Sequence, residues 1–447
     1  MRWTVLRRFA ISVMLAALVL PSMARTRPHY GGTIRVEMEG DPWQRPDSLA
    51  RRLVFDGLTA LDANGIARPA LAIEQKSESD DHRWQFRLRA GVHFQDGTPL
   101  TSVNVVSSLM AACPANCPWT MIRAVGSSVV FTSDSPMPNL PQLLASDDYR
   151  IVLAGAGSGT SIGTGAFQFA GFSNGVLTLA ANDTCWQGRP FLDAVEIHVH
   201  RSVRDQWLDL GVGRADLVEV PAEQLRQAHD QRLTVATAPA VTLLALQIPD
   251  LGFLSNANLR AAIALAIDRS ALSNVIFQKQ GEVTASLLPQ SLAGYSFLFA
   301  TDRDVNKARE LRGGLTTPAI LIGAEGSGAM QLAAQRIALN LHEAGINAQA
   351  AGSSQHADLV IRRIPIEGGD AAAALESAMR RAGLGAPVTE QSLAALYQAE
   401  RQFLERRTLI PLLFLPRAWA AGGRVRDLRL GPDGLPDLAV ASLEDSK

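Results

Sequence analysis

The chain has 447 residues, 47% of them hydrophobic and 19% charged, with a formal net charge of -1. A chain of this length exceeds one ordinary core and implies two or three lobes. Near-neutral charge without a basic stripe excludes the usual electrostatic basis for nucleic-acid or anionic-membrane binding, and the apolar content excludes a disordered chain.

The N-terminus reads as an export signal. Arg2, Arg7 and Arg8 precede an apolar run over 9–20; Pro21 ends it and Ser22, Met23 and Ala24 supply small residues for cleavage. The run is shorter than the roughly 20 residues that a spanning helix needs. Cleavage is expected near Ala24, giving a periplasmic protein, and no cysteine follows the cut to carry a lipid anchor.

Past the signal, Tyr30 to Val36 reads as a first strand. The segment 55–65, FDGLTALDANG, ends in an Asn-Gly turn signal. Trp84, Phe86 and Leu88 alternate with Gln85, Arg87 and Arg89, the period of a half-buried strand. Asp96-Gly97 turns the chain, and Thr101 is placed to cap a helix through Val105 and Leu109. The stretch 155–165 is rich in Gly, Ser and Thr and reads as a linker or hinge. Ser255 or Asn256 caps a helix carrying Leu259, Ile263 and Ile267; further amphipathic helices run through Ile337 and Leu341, with Gly345 as stop, and through Leu396 and Phe403. Strands and helices mix throughout, so the class is α/β.

Of the 3 Cys, Cys113 and Cys117 are four apart. Export permits a local disulfide between them; two reduced thiols in a turn is the other reading. His198 and His200 share a strand face but lack a third ligand at fixed spacing, so no metal site is expected. The segment 155–159, GAGSG, has its Ser in the wrong place for a nucleophile elbow and no Gly-Lys-Ser/Thr after it for a phosphate loop. With no nucleophile paired to a base and no cofactor motif, an enzyme is not expected.

The segments YGGTIRV (30–36), FDGLTALDANG, WQFRLRAGVHFQDGTPLTSVNVVSSL (84–109), GTGAF (163–167), NDTCWQGRPFLDAVEI (182–197), NANLRAAIALAIDRSAL (256–272) and LYQAERQFLERRTLIPLLF (396–414) occur in one order. In that order they resemble the family 5 extracellular solute-binding proteins, the peptide-, nickel- and oligopeptide-type receptors of ABC importers. The resemblance implies a two-lobed periplasmic-binding-protein fold of class II, hinged, with a third subdomain inserted in the first lobe. The implied spans are 1–24 signal peptide, 25–47 first lobe, 48–155 inserted subdomain, 156–250 first lobe again, 251–420 second lobe and 421–447 a return to the first. It also implies a monomer that closes on a small-molecule or short-peptide ligand and docks on an inner-membrane ABC permease. A sensor or degenerate non-transport protein on the same fold is the alternative.

The departures bear on the ligand. Where the family follows the strand at 357–361 with a Trp and an Asp-Tyr-Pro-Asp-Pro-like loop facing the ligand, this chain has Arg362, Arg363 and then Ile364 to Asp370. Glu367 and Asp370 stand nearest the acidic positions of that loop. Adjacent strand residues face opposite ways, so only one of Arg362 and Arg363 faces the cleft, and Arg363 is the candidate for a ligand anion. Glu39 rather than Glu37 is expected at the end of the first strand for a ligand amine. Trp119 stands where the inserted subdomain presents an aromatic, and packing a small core is its other reading. The expected ligand is small and zwitterionic or acidic.

Overall fold

The computed structural model describes residues 30–43, 48–113, 117–154, 161–295, 298–326, 328–367, 369–383, 388–389 and 391–444. The expected export signal lies outside the described residues, as does 155–160 of the expected hinge.

In chain order, β1 (Thr33–Glu37) leads to α1 (Leu49–Val54), and β2 (Thr59–Leu61) pairs with β3 (Ala67–Pro69) in a hairpin. Next come β4 (Ala72–Glu78), β5 (Arg83–Leu88), α2 (Ser102–Ala112), β6 (Met121–Val125), β7 (Ser128–Thr132) and α3 (Leu140–Leu144). The strands β8 (Leu153–Ala154) and β9 (Ser161–Ile162) pair, then β10 (Phe167–Ser173), β11 (Val176–Ala181), β12 (Ala194–His198), α4 (Val203–Gly211), β13 (Leu217–Val220) and α5 (Leu225–Asp230) follow. The long β14 (Thr234–Gln247) precedes α6 (Ala257–Ala266), β15 (Glu282–Val283), α7 (Val305–Arg312), β16 (Ile320–Ala324), α8 (Ala329–Glu343) and β17 (Ala348–Ala350). Last are β18 (Leu359–Pro365), α9 (Ala371–Arg381), α10 (Leu393–Glu405), β19 (Leu409–Ala421) and the pair β20 (Val425–Arg426) with β21 (Ser442–Leu443).

One mixed sheet runs β10-β11-β12-β1-β13-β19-β14-β18-β16-β17, with β15 beside β19. Ile34 and Val36 of β1 are fully buried in the first lobe's core, with Leu177, Leu179, Val195 and Ile197. The second lobe has a core on each face of its sheet. Alternation along β14 sends Leu244 and Leu246 into one and Leu243 and Ala245 into the other. A strand buried on both faces reads as an apolar run, as 243–246 does. A separate four-stranded sheet, β4-β5-β7-β6, carries the inserted subdomain, whose core holds Phe86, Leu109 and Phe131.

Three local signals act as expected, whereas the helix expected to carry Ile267 ends at Ala266 and leaves Ile267 extended. Thr101 and Asn104 form a reciprocal capping box on α2, Asn256 caps α6 through the Leu259 N–H at 3.0 Å, and Gly345 beyond α8 has φ 79°.

Two expectations are corrected. The inserted subdomain does not start at 48, because Leu49, Ala50, Leu53 and Val54 of α1 pack in the first lobe's core. Nor is the described part of the Gly-rich stretch a flexible joint. A Cβ on Gly163 would lie 1.9 Å from the Val54 carbonyl oxygen and one on Gly165 2.5 Å from that of Leu53, so these glycines permit close packing. The lobes are joined by β14 and β19, which pair at one end with each other and β18, and at the other through β19 with β13. Their register breaks between Ala238 and Thr242, opposite Pro416, where Ala240 has φ 51°. Such a break in a paired strand is a place where backbone angles can absorb a hinge motion.

Candidate ligand-binding cleft

A cavity of about 520 Å³ opens beside that register break. The first lobe lines it with Glu39, Glu219 and Glu223, the second with Phe277, Gly326 and Arg363, and the crossing strands with Thr242 and Arg417. Opposite charges therefore face one space from both lobes.

Arg363 pairs in register with Leu244 of β14. Its neighbour Arg362 points to the other face, where it donates to Glu325 and Gln247, both at 2.9 Å. Arg417 forms an ion pair with Glu219 at 3.2 Å and lies 5.8 Å from the centre of the Trp419 ring. Glu223 of the first lobe lines the cavity together with Ala329, the first residue of α8 in the second lobe. Burial holds the Glu223 carboxyl above its usual pKa and the charge of Glu39 adds to this. Glu37 is buried beneath, 3.5 Å from Arg201, and burial raises its carboxyl as well.

Three expected site residues do not reach this cavity. Trp119 is 7% exposed and packs at 5.1 Å from Phe131 and 5.5 Å from Tyr149, so it serves the inserted subdomain's core. Asp370 spends its carboxylate on capping α9, accepting from the Ala373 N–H at 2.9 Å. Glu367 pairs with Arg381 at 2.8 Å and lines a second cavity, of about 290 Å³, with Arg52, Asp147 and Asp433. Of the expected five, Glu39 and Arg363 meet in the large cavity.

The residues missed were Glu219, Glu223 and Arg417. A signal existed for two of them: Glu219 stands within the apolar strand LVEV, and Arg417 is the single charge in the 13-residue β19. A charge kept in a buried strand implies a partner or a site.

Cys113 and Cys117 are bridged, with Cα atoms 5.6 Å apart, and Cys185 is buried with its thiol pushed up by burial. Among the described residues no three of His, Cys, Asp and Glu gather as a metal site, and no helix is long and apolar enough to cross a membrane.

Two lobes, two crossing strands and a charged cavity between them define a solute-binding protein of the periplasmic type. The profile of bacterial extracellular solute-binding proteins, family 5 Middle, matches residues 67–363, and the chain belongs to that family. It is 29% identical over 412 residues to the probable di/tripeptide-binding protein 5 of Pseudomonas aeruginosa, an alignment covering 77% of this chain and 76% of that one. Its fold matches DppA of Helicobacter pylori, solved with the peptide STSA, at TM-score 0.79 and 17% identity, covering 93% of this chain and 99% of that one. NikA of Staphylococcus aureus, solved with Ni(L-His)2, matches at TM-score 0.78 and 17% identity, covering 92% and 100%.

Proposed function

We propose that this chain is an exported receptor that binds a small zwitterionic or acidic solute, such as a short acidic peptide, between its lobes and hands it unchanged to an ABC permease. The observation that carries this reading is the meeting of Glu39 and Arg363, from different lobes, in one cavity of about 520 Å³. A carboxylate and a guanidinium across a partly dehydrated cleft suit an ammonium and a carboxylate on one solute. The cavity is within the range of small-molecule sites, roughly 300–1,000 Å³. The names of relatives agree with export and peptide uptake: one is a probable di/tripeptide-binding protein and another a peptide transport periplasmic protein, SapA of Salmonella typhimurium. The receptor acts as a monomer after cleavage near Ala24.

Native mass spectrometry of the protein purified from the periplasm tests this reading. The expected result is a co-purified small anion or zwitterion that leaves intact on denaturation. A long neutral peptide, or turnover of the solute by a clean preparation, defeats it.

A further inference from the structure

Among the described residues, three polar contacts fasten the inserted subdomain and its hairpin to the second lobe, and none involves a residue lining the large cavity. In the first, Asn139 at the head of α3 is 3% exposed. Its Nδ2 donates to Glu376 Oε2 at 3.1 Å and to the Val388 carbonyl at 2.9 Å, and its Oδ1 accepts from Gln391 Nε2 at 3.0 Å. Turning the carboxamide over would set amide against amide and oxygen against carboxylate, so the network determines its orientation. Glu376 is itself 3% exposed and also takes the Arg380 guanidinium at 2.9 Å.

In the second contact, the Arg381 guanidinium reaches Asp148 at 3.4 Å while it pairs with Glu367. In the third, the Gly369 N–H donates to the Gly65 carbonyl at 2.7 Å, at the tip of the β2–β3 hairpin. A Cβ on Gly369 would lie 1.8 Å from the Asn64 carbonyl oxygen. The loop at Glu367 to Asp370 is thus engaged by the chain's own hairpin and by Arg381. Moreover, a turn at Pro432 to Gly434 stands between the two cavities. Asp433 lines the smaller one and pairs with Arg52, whereas a Cβ on Gly434 would come 2.8 Å from the Cβ of Arg417, which lines the larger.

We propose that Asn139 is a latch that keeps this wing of the cleft shut with or without solute, and thereby limits the solute to what the large cavity alone can hold. The inserted subdomain enters and leaves the first lobe, so only non-covalent contacts tie it to the second. Asn139 is the buried centre of those contacts. Its loss leaves a buried carboxylate and a buried carbonyl short of a donor, which an opened wing would return to water. The limit on solute length rests on assigning the large cavity as the solute site. The latch itself does not.

The test uses paired spin labels at Val103→Cys in the inserted subdomain and Leu332→Cys in the second lobe, both on exposed positions, in the full mature chain stripped of solute. The unliganded parent should give one short, narrow distance. Asn139→Ala should add a longer population, and so should Glu376→Ala, which removes the carboxylate that accepts from Asn139. A long or broad distance in the parent, or an unchanged distance in both variants, overturns the latch. The length limit is read by thermal stabilisation with Ala-Glu and with Ala-Ala-Ala-Ala-Glu. The parent should respond to the shorter peptide alone and Asn139→Ala to both. An equal response of the parent to both peptides overturns the limit. No response of any protein to either peptide counts against the proposed solute class, while the distances still decide the latch.

Discussion

The Tyr295 hydroxyl donates to Glu400 Oε2 at 2.5 Å in the second lobe, where Glu400 is fully buried. The Leu287 N–H donates to the other carboxylate oxygen. Burial outweighs these donors and pushes the Glu400 carboxyl up to about 7 from its ordinary 4.5. Burial and the charge of Glu400 also push the Tyr295 hydroxyl above its usual range.

A pH dependence of stability follows, and its sign is set by proton counting. Between about 4.5 and 7 the folded chain holds the Glu400 proton more tightly than the unfolded chain. The stability from this group is therefore full below 4.5 and is lost as pH rises through about 7. The whole effect is on the order of 3 kcal/mol. Urea denaturation followed by circular dichroism at pH 5 and pH 8 measures it. Glu400→Gln should lower stability at pH 5 and remove most of the difference between the two pH values. An equal pH dependence in parent and variant would assign it to other groups.

Trp119 gives a prediction that separates packing from binding. Its ring fills the inserted subdomain's core against Phe131 and Tyr149. Trp119→Ala should cost about 3–5 kcal/mol of stability, the usual range for a large aromatic deleted from a core. Affinity for the solute should stay within twofold of the parent at a temperature where the variant is folded. A loss of affinity with little loss of stability would put the ring against the solute after all.

Export makes a third prediction. Sequencing the N-terminus of the periplasmic protein should begin at or within a few residues of Arg25, because the apolar run ends just before Ser22, Met23 and Ala24. A chain that keeps Met1 and stays in the cytoplasm would refute it.

What could be read from the chain follows the range of the forces involved. Strand β5 and helices α2, α6 and α8 were legible because periodicity and caps act within a few residues. The period-two pattern at Trp84, Phe86 and Leu88 gives a strand, and Asn256 caps its own third residue onward. The cleft was half legible. Strand alternation allows only one of Arg362 and Arg363 to face the cleft, and Glu219 and Arg417 meet only after β13 and β19 pair. Asn139 and Glu376, 237 residues apart, carry no local sign of each other. At Gly163 and Gly165 the expectation of a flexible joint fails for a physical reason: glycine serves flexibility and close approach alike, and here the backbone of α1 fills the space a side chain would take. The break in β14 at Ala240 has no glycine to announce it.

The adjacent arginines of β18 supply the most direct test of the site. Arg363 lines the large cavity, while Arg362 on the opposite face is held by Glu325 and Gln247. The two share charge, size and strand, so replacing each in turn isolates the direction in which it points. If Arg363 meets the solute anion in a cleft that excludes most water, Arg363→Ala should cost roughly 2–5 kcal/mol of binding. That is on the order of thirtyfold or more in affinity. Arg362→Ala should change affinity by less than threefold, because its partners lie outside the cavity. Calorimetry with the co-purified solute, on the parent and both variants at two salt concentrations, distinguishes the cases. A salt-sensitive loss shared equally by both variants would mean long-range attraction rather than a contact, since exposed charges are screened within about 10 Å at 0.1 M salt. An unchanged affinity in Arg363→Ala would remove that residue from the site and leave the Glu219–Arg417 pair as the place to look for the solute's charge.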